Sequence, residues 1–173
     1  IKTANGKILA EAFGEMLFTH YGVSGPIILT VSRYAVDYWL NDSNPLILAI
    51  DLKPALSWEQ LDQRLIREIN KFSNKYFKNS LDELLPNKLI PVVIHKSQIP
   101  EDKRMNQITK EERQNLLKVL KSFELKLTRP RPITEAIVTR GGVDVKEVNP
   151  KTMESKLVEG LYFAGEVLDI DGN

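Results

Sequence analysis

With 42% hydrophobic and 27% charged residues over 173 positions, the chain has the composition of a soluble globular domain long enough for a sizeable core. Its 24 Lys and Arg against 23 Asp and Glu leave a net charge of +1, which gives no global pull toward nucleic acid or membrane. The absence of cysteine excludes a disulfide framework, a thiolate zinc site and a cysteine nucleophile and fits a reducing cytoplasm, and no apolar run approaches the ~20 residues that span a bilayer.

In chain order, residues 1–12 read as a hairpin, with Asn5-Gly6 supplying the positive-φ pair of a type I′ turn. Residues 13–20 read as a second extended segment, with Gly14 marking a bulge. The stretch Gly22-Val23-Ser24-Gly25-Pro26 is a break and then a helix start, capped by Ser24 or Gly25, with Pro26 in the first turn. Ile27, Ile28, Val31, Tyr34, Ala35 and Tyr38 share one helical face, so this helix should run to about Trp39. Residues 46–50 form a short apolar strand after a polar turn.

Ser57 and Gln60 fit a capping box, and Trp58, Leu61, Leu65, Ile66, Ile69 and Phe72 then form an apolar helical stripe. Ser80 and Glu83 suggest a second box and a short helix ending before Pro86. Residues 87–96 fit a strand by their Val and Ile, or a helix with Pro91 near its start. Thr109 and Glu112 form a third box opening a helix to about Lys121. The period then changes: Phe123, Leu125 and Leu127 alternate with Glu124, Lys126 and Thr128, a strand with one wet face. After Arg129-Pro130-Arg131-Pro132, strands are expected at 136–139, 143–148 and 161–164. The order implies an α+β fold, a helical subdomain set into a mostly antiparallel β framework.

The chain begins at Ile1 rather than Met and reaches Asn173 with no helix after its last strand, so an internal piece of a longer protein is expected. Among single residues, His20, between a strand and the Gly22 turn, is the candidate for catalysis, and His95 has no acidic neighbour at metal-ligand spacing. Ser24 imitates a nucleophile elbow, but Pro26 stands where that motif needs glycine, so a capping role is the better reading. Lys126, Arg129, Arg131 and Arg140 make a loose basic series with no interleaved aromatics, which reads as a solvated face. Thr139-Arg140-Gly141-Gly142 could wrap a ligand with backbone N–H groups or simply turn the chain. Residues 161–164 run straight into Gly165 and Glu166, the strand–glycine–acid order that α/β sheets use at ligand sites.

Residues 14–26, 138–143 and 160–172 together resemble the BaiN/YhiN-like bacterial NAD(P)/FAD-dependent oxidoreductases. The resemblance implies a Rossmann-type FAD-binding domain interrupted by an insert, part β-barrel and part helical. Residues 1–134 would be that insert, with its helical subdomain at about 57–121, and residues 135–173 would begin the returning FAD-binding half. By the same resemblance Thr139, Gly141, Gly142, Gly165, Glu166, Asp169 and Gly172 bind cofactor, with Glu166 near the ribityl or pyrophosphate of FAD. The implied chemistry is hydride transfer from NAD(P)H through FAD to a small organic acceptor, with the insert covering the flavin. Its partners would be the remaining parts of its own FAD-binding domain, with no nucleic acid, membrane or metal. The Gly-x-Gly-x-x-Gly turn of that domain is not among these residues, so the 173-residue chain by itself should hold FAD poorly. The rival class is an independent module that binds nucleic acid or protein and has no redox role.

Overall fold

The computed structural model describes residues 1–136 and 141–170. Five strands and four α-helices appear among them: β1 (Lys2–Thr3), β2 (Leu17–Thr19), β3 (Gly22–Ser24), α1 (Pro26–Asn41), β4 (Leu46–Ile50), α2 (Trp58–Lys71), α3 (Ile90–Ser97), α4 (Lys110–Lys121) and β5 (Phe123–Leu127). The strands make a three-stranded antiparallel sheet, ordered β1-β4-β5, and a separate β2-β3 hairpin. The fold is therefore mixed α and β, but the expected barrel-like closure is not present among the described residues. With only two residues in β1 and three in β2, neither element offers the length of ladder that closing a sheet demands.

The helical half follows its sequence signals. On α2, the Ser57 hydroxyl accepts from the Gln60 N–H at 3.2 Å and the Gln60 side chain accepts from the Ser57 N–H at 2.9 Å. Thr109 and Glu112 repeat the reciprocal pair on α4 at 3.2 and 2.8 Å. Pro91 sits in the first turn of α3, where its missing N–H needs no partner, so the helical alternative for this stretch is the one formed. Leu61, Leu65, Phe77, Val93, Ile94, Leu116, Leu117, Leu120 and Phe123 meet in one buried cluster, and the β4–β5 ladder closes over it. Two polar clips fix the helices outside that cluster. Asp62 accepts from Arg113 at 2.8 Å and from Gln114 at 3.0 Å, joining α2 to α4. Lys121, its side chain almost buried, reaches Asp51 at 2.5 Å and the Leu56 carbonyl at 2.8 Å.

Several local expectations are overturned. The first hairpin turns through a longer loop: the Thr3 N–H donates to the Lys7 carbonyl at 2.9 Å and Gly6 alone has positive φ, 87°. Asn5 keeps negative φ, so the turn is a bulged type and not type I′. Gly22, Val23 and Ser24 are a strand facing β2 rather than a break, and of the two residues expected to cap α1 it is Gly25 that does so, with no side-chain bond from Ser24. Trp58 is 45% exposed at the first residue of its helix, outside the stripe that Leu61 and Leu65 bury. Ser80 opens no helix: it is buried and donates to the Phe77 carbonyl at 2.8 Å, closing a short 3-10 segment, and residues 81–85 form turns. The expected strand at 143–148 is a short 3-10 segment, Val145–Glu147, between two single bridges. Residues 161–164 pair only through Tyr162 with Glu154, and Leu161 and Tyr162 are 43% and 60% exposed rather than buried. A strand takes its burial from neighbours on both sides, and one bridge supplies neither side. The strands of a Rossmann sheet are thus not formed by these described residues. The strand expected at 136–139 falls mostly outside them.

Candidate functional site

The second glycine segment and the strand–glycine–acid segment lie against each other. A parallel bridge joins Val143 to Leu168, with the Val143 N–H on the Val167 carbonyl at 2.9 Å and the Asp169 N–H on the Val143 carbonyl at 3.0 Å. Gly142 makes the approach possible, because a Cβ built there would lie 2.5 Å from the Val167 oxygen. Its glycine is accounted for by this crossing. Gly141 and Gly165 differ: each has positive φ, 93° and 77°, and among the described residues no atom beyond the flanking ones lies within 4 Å of where a Cβ would stand. Their backbone is open to an approaching group.

Gly165 opens a short 3-10 turn, Gly165–Val167, which carries Glu166 outward as an exposed carboxylate. Asp169, two residues past that turn, is exposed as well. An exposed carboxylate accepts hydrogen bonds from hydroxyls, and open glycine backbone admits a polar ligand closely. Gly141, Gly142, Gly165, Glu166 and Asp169 are therefore neighbours in space, although they come from two separated stretches. Thr139 and Gly172 lie outside the described residues, as does Arg140 of the basic series.

His20 belongs to a different place. It and Tyr21 form the two-residue tip of the β2-β3 hairpin, with ring centroids 4.9 Å apart. The Arg131 guanidinium lies 4.7 Å from the Tyr21 ring centroid and is held by Glu135 at 2.6 Å. The basic series thus has an aromatic partner brought from far along the chain, a contact no spacing rule could reveal. His95 is exposed on α3, and among the described residues no group of three or more His, Asp or Glu could hold a metal ion.

A second cation–aromatic arrangement escaped the sequence. Lys75 lies 4.3 Å from the Phe72 ring centroid, and Arg104 lies 5.5 Å from that of Tyr76. Phe72, Lys75 and Tyr76 are close in sequence and could have been noticed; Arg104 joins them only through the antiparallel bridge Tyr76↔Arg104. A groove of about 700 Å³ also opens between α1, β4 and residues 8–16, lined by apolar side chains such as Ile8, Phe13, Met16, Ile27 and Leu48.

Residues 1–138 match the family model described as "HI0933-like protein barrel and H2TH domain". A ribosomal RNA dihydrouridine synthase of Escherichia coli (strain K12) is 34% identical over 172 residues, covering 99% of this chain and 40% of that protein. A protein of the same description from Haemophilus influenzae (strain ATCC 51907 / DSM 11121 / KW20 / Rd) is 34% identical over 160 residues, 92% of this chain and 37% of that protein. A 3-dehydro-bile acid delta(4,6)-reductase of Clostridium scindens (strain ATCC 35704 / DSM 5676 / VPI 13733 / 19) is 29% identical over 166 residues, 96% of this chain and 40% of that protein. The chain spans about 40% of the length of these relatives.

Proposed function

The chain belongs to the HI0933-like family, and from that premise we propose that it is part of a flavoprotein oxidoreductase that adds hydrogen to a carbon–carbon double bond conjugated with a carbonyl. The names of both kinds of relative denote that chemistry: dihydrouridine is uridine with two hydrogens added across the ring double bond beside its carbonyl, and a 3-dehydro delta(4,6) steroid is a conjugated dienone. The uracil base of ribosomal RNA is the acceptor we favour, on the single observation of 34% identity across 99% of the chain. This departs from the small-molecule acceptor and the absence of nucleic acid expected from the sequence.

The residues fit FAD. Gly141 and Gly165 leave backbone open in the turns that also carry the exposed Glu166 carboxylate, a combination suited to ribityl or ribose hydroxyls. Glu166 would accept those hydroxyls and Gly165 would let the ligand lie against the backbone, while Gly142 keeps the two turns together. Bound there, FAD would supply a hydride to the alkene carbon remote from the carbonyl, after its own reduction by NAD(P)H. The protein's task is orientation and the delivery of a proton to the adjacent carbon. His20, exposed at a hairpin tip, is the candidate for that proton.

The intact protein, purified and supplied with NAD(P)H and ribosomal RNA lacking the modification, should show flavin absorbance. The RNA should gain two hydrogens on uridine by mass spectrometry. A colourless protein would overturn the reading, and a yellow one that reduces only a steroid dienone would overturn the RNA acceptor.

A further inference from the structure

We infer that the turn between α2 and α3, with the loop that leads into α4, is a single-stranded RNA contact surface, in which Arg104 and Lys75 meet phosphates and Tyr76 stacks a base. The inference rests on the reading that the acceptor is RNA and says where the chain would hold it.

Charge is unevenly spread along the molecule. Residues 57–121 hold 13 Lys and Arg against 9 Asp and Glu, a net +4, whereas the whole chain is +1, so the rest is −3. Several of the cations around this turn are already engaged. Lys71 is bound to Glu83 at 2.7 Å, Lys103 to Glu112 at 2.6 Å, and Lys78 lies 3.8 Å from Glu101. Lys75 and Arg104 have no carboxylate within ion-pair distance among the described residues: Lys75 lies against the Phe72 ring, with Glu83 near enough to feel its charge, and Arg104 lies against the Tyr76 ring. Both side chains are exposed, and Tyr76 is 43% exposed beside them.

The platform under them is rigid. The Met105 N–H donates to the Lys75 carbonyl at 3.0 Å, the Phe77 N–H to the Lys103 carbonyl at 2.8 Å and the Asn106 N–H to the Ser73 carbonyl at 3.1 Å. Phe77 and Met105 are buried directly behind. Arg104 is further held through the Asn74 carbonyl at 3.2 Å. A guanidinium laid on a tyrosine already has the geometry in which a base can stack and a phosphate can be bonded. Aromatic faces interleaved with free cations are how proteins grip single strands, because every base has a π-face and every nucleotide a charge. Asp82 and Glu83 line the small cleft that Phe72 and Lys75 also border, so that cleft itself is not the phosphate site.

The test uses the 173-residue chain and a fluorescein-labelled single-stranded RNA of mixed sequence, read by anisotropy over a range of salt. Lys75→Gln with Arg104→Gln should weaken binding and reduce the slope of log affinity against log salt by about 1.4, two phosphates at ~0.7 each for a single strand. Tyr76→Leu should weaken binding roughly tenfold at unchanged slope, the effect of one lost stacking face. Lys118→Gln, on the exposed side of α4, should leave both unchanged. Thermal midpoints measured alongside identify any variant that fails to fold, and Tyr76→Phe, which keeps the ring, should bind normally. Unchanged affinity and slope in the folded double variant, or an equal loss in Lys118→Gln, overturns the inference. Dihydrouridine formed by the intact double variant at the wild-type rate also overturns the surface and leaves the reductase reading standing. An intact protein that forms none overturns that reading, and RNA binding lost in the double variant would still uphold the surface.

Discussion

Gly142 sits where two turns touch, and the atoms around its missing side chain are backbone: the Val167 oxygen at 2.5 Å, the Leu168 carbon at 2.7 Å and the Asp169 nitrogen at 2.8 Å. None can swing away as a flexible side chain would. Gly142→Ala should therefore cost about 1–3 kcal/mol locally, as overpacking does, and speed hydrogen exchange of the Val143 and Asp169 amides by roughly tenfold or more. Exchange rates that do not move would show that the crossing opens freely. Glu166 is different in kind, since its side chain is exposed to solvent. Removing a charge-assisted hydrogen-bond partner costs about 1.5–3 kcal/mol, so Glu166→Ala in the intact protein should weaken FAD roughly 10- to 100-fold. Unchanged affinity in a flavin fluorescence titration would make Glu166 a mere turn residue. Two large aromatics separate burial from sequence pattern in the same way. Phe77 is fully buried and Trp58 is 45% exposed, so Phe77→Ala should cost about 3–5 kcal/mol and Trp58→Ala under about 1. Equal shifts in urea midpoint would put Trp58 back in the core.

At the scale of the element, the two capping boxes and the β5 alternation were legible because each is set by chemistry within a few residues. Ser80 with Glu83 has the same spacing and makes no capping box, since Ser80 turns inward to Phe77 and Glu83 outward to Lys71. Spacing alone could not tell which way these side chains would face. The α4 box adds a pH signature. Burial pushes the Glu112 carboxyl up, but the Lys103 ammonium and Thr109 pull harder, and it ends below its ordinary 4.5. A carboxyl lowered by folding stabilises the fold fully above that ordinary value, and the stabilisation fades as pH falls through the folded value. Glu112→Gln keeps a residue that can still cap but removes the charge. Wild type should therefore lose stability below pH 4.5 more steeply than the variant, by about 0.2–1 kcal/mol for a pair this accessible. Parallel urea midpoints across that range would assign the stabilisation to the cap alone.

At the scale of the whole molecule, burial is concentrated in one part. The fifteen buried members of the central cluster run from Leu61 to Phe123, and partly buried Ile50, Leu52, Leu56 and Leu125 pack around them. Outside it the chain shows apolar side chains to solvent: Ile8, Phe13, Leu17 and Phe18 near the start, and Leu157, Val158, Tyr162 and Ile170 near the end. This contrast explains why the helical half could be read from sequence and the remainder could not. Helical stripes meet one another within this chain, whereas strand-like runs such as residues 161–164 depend on pairing partners that a local pattern does not supply. The same contrast predicts how the chain comes apart. Segments with few buried contacts open first, and proteases cut what opens. Limited proteolysis of the 173-residue chain, followed by mass spectrometry, should cut early within residues 8–18 and beyond residue 128. It should leave a resistant piece from about β4 to β5, where the ladder from Leu46↔Leu127 to Ile50↔Phe123 seals the helices. In the intact protein the apolar segments at both ends should be protected as well, if the rest of the polypeptide covers them. Early cleavage between α2 and α4 would contradict the central cluster as the stable unit, and equal resistance throughout would mean that the exposed ends are held by contacts stronger than their burial implies.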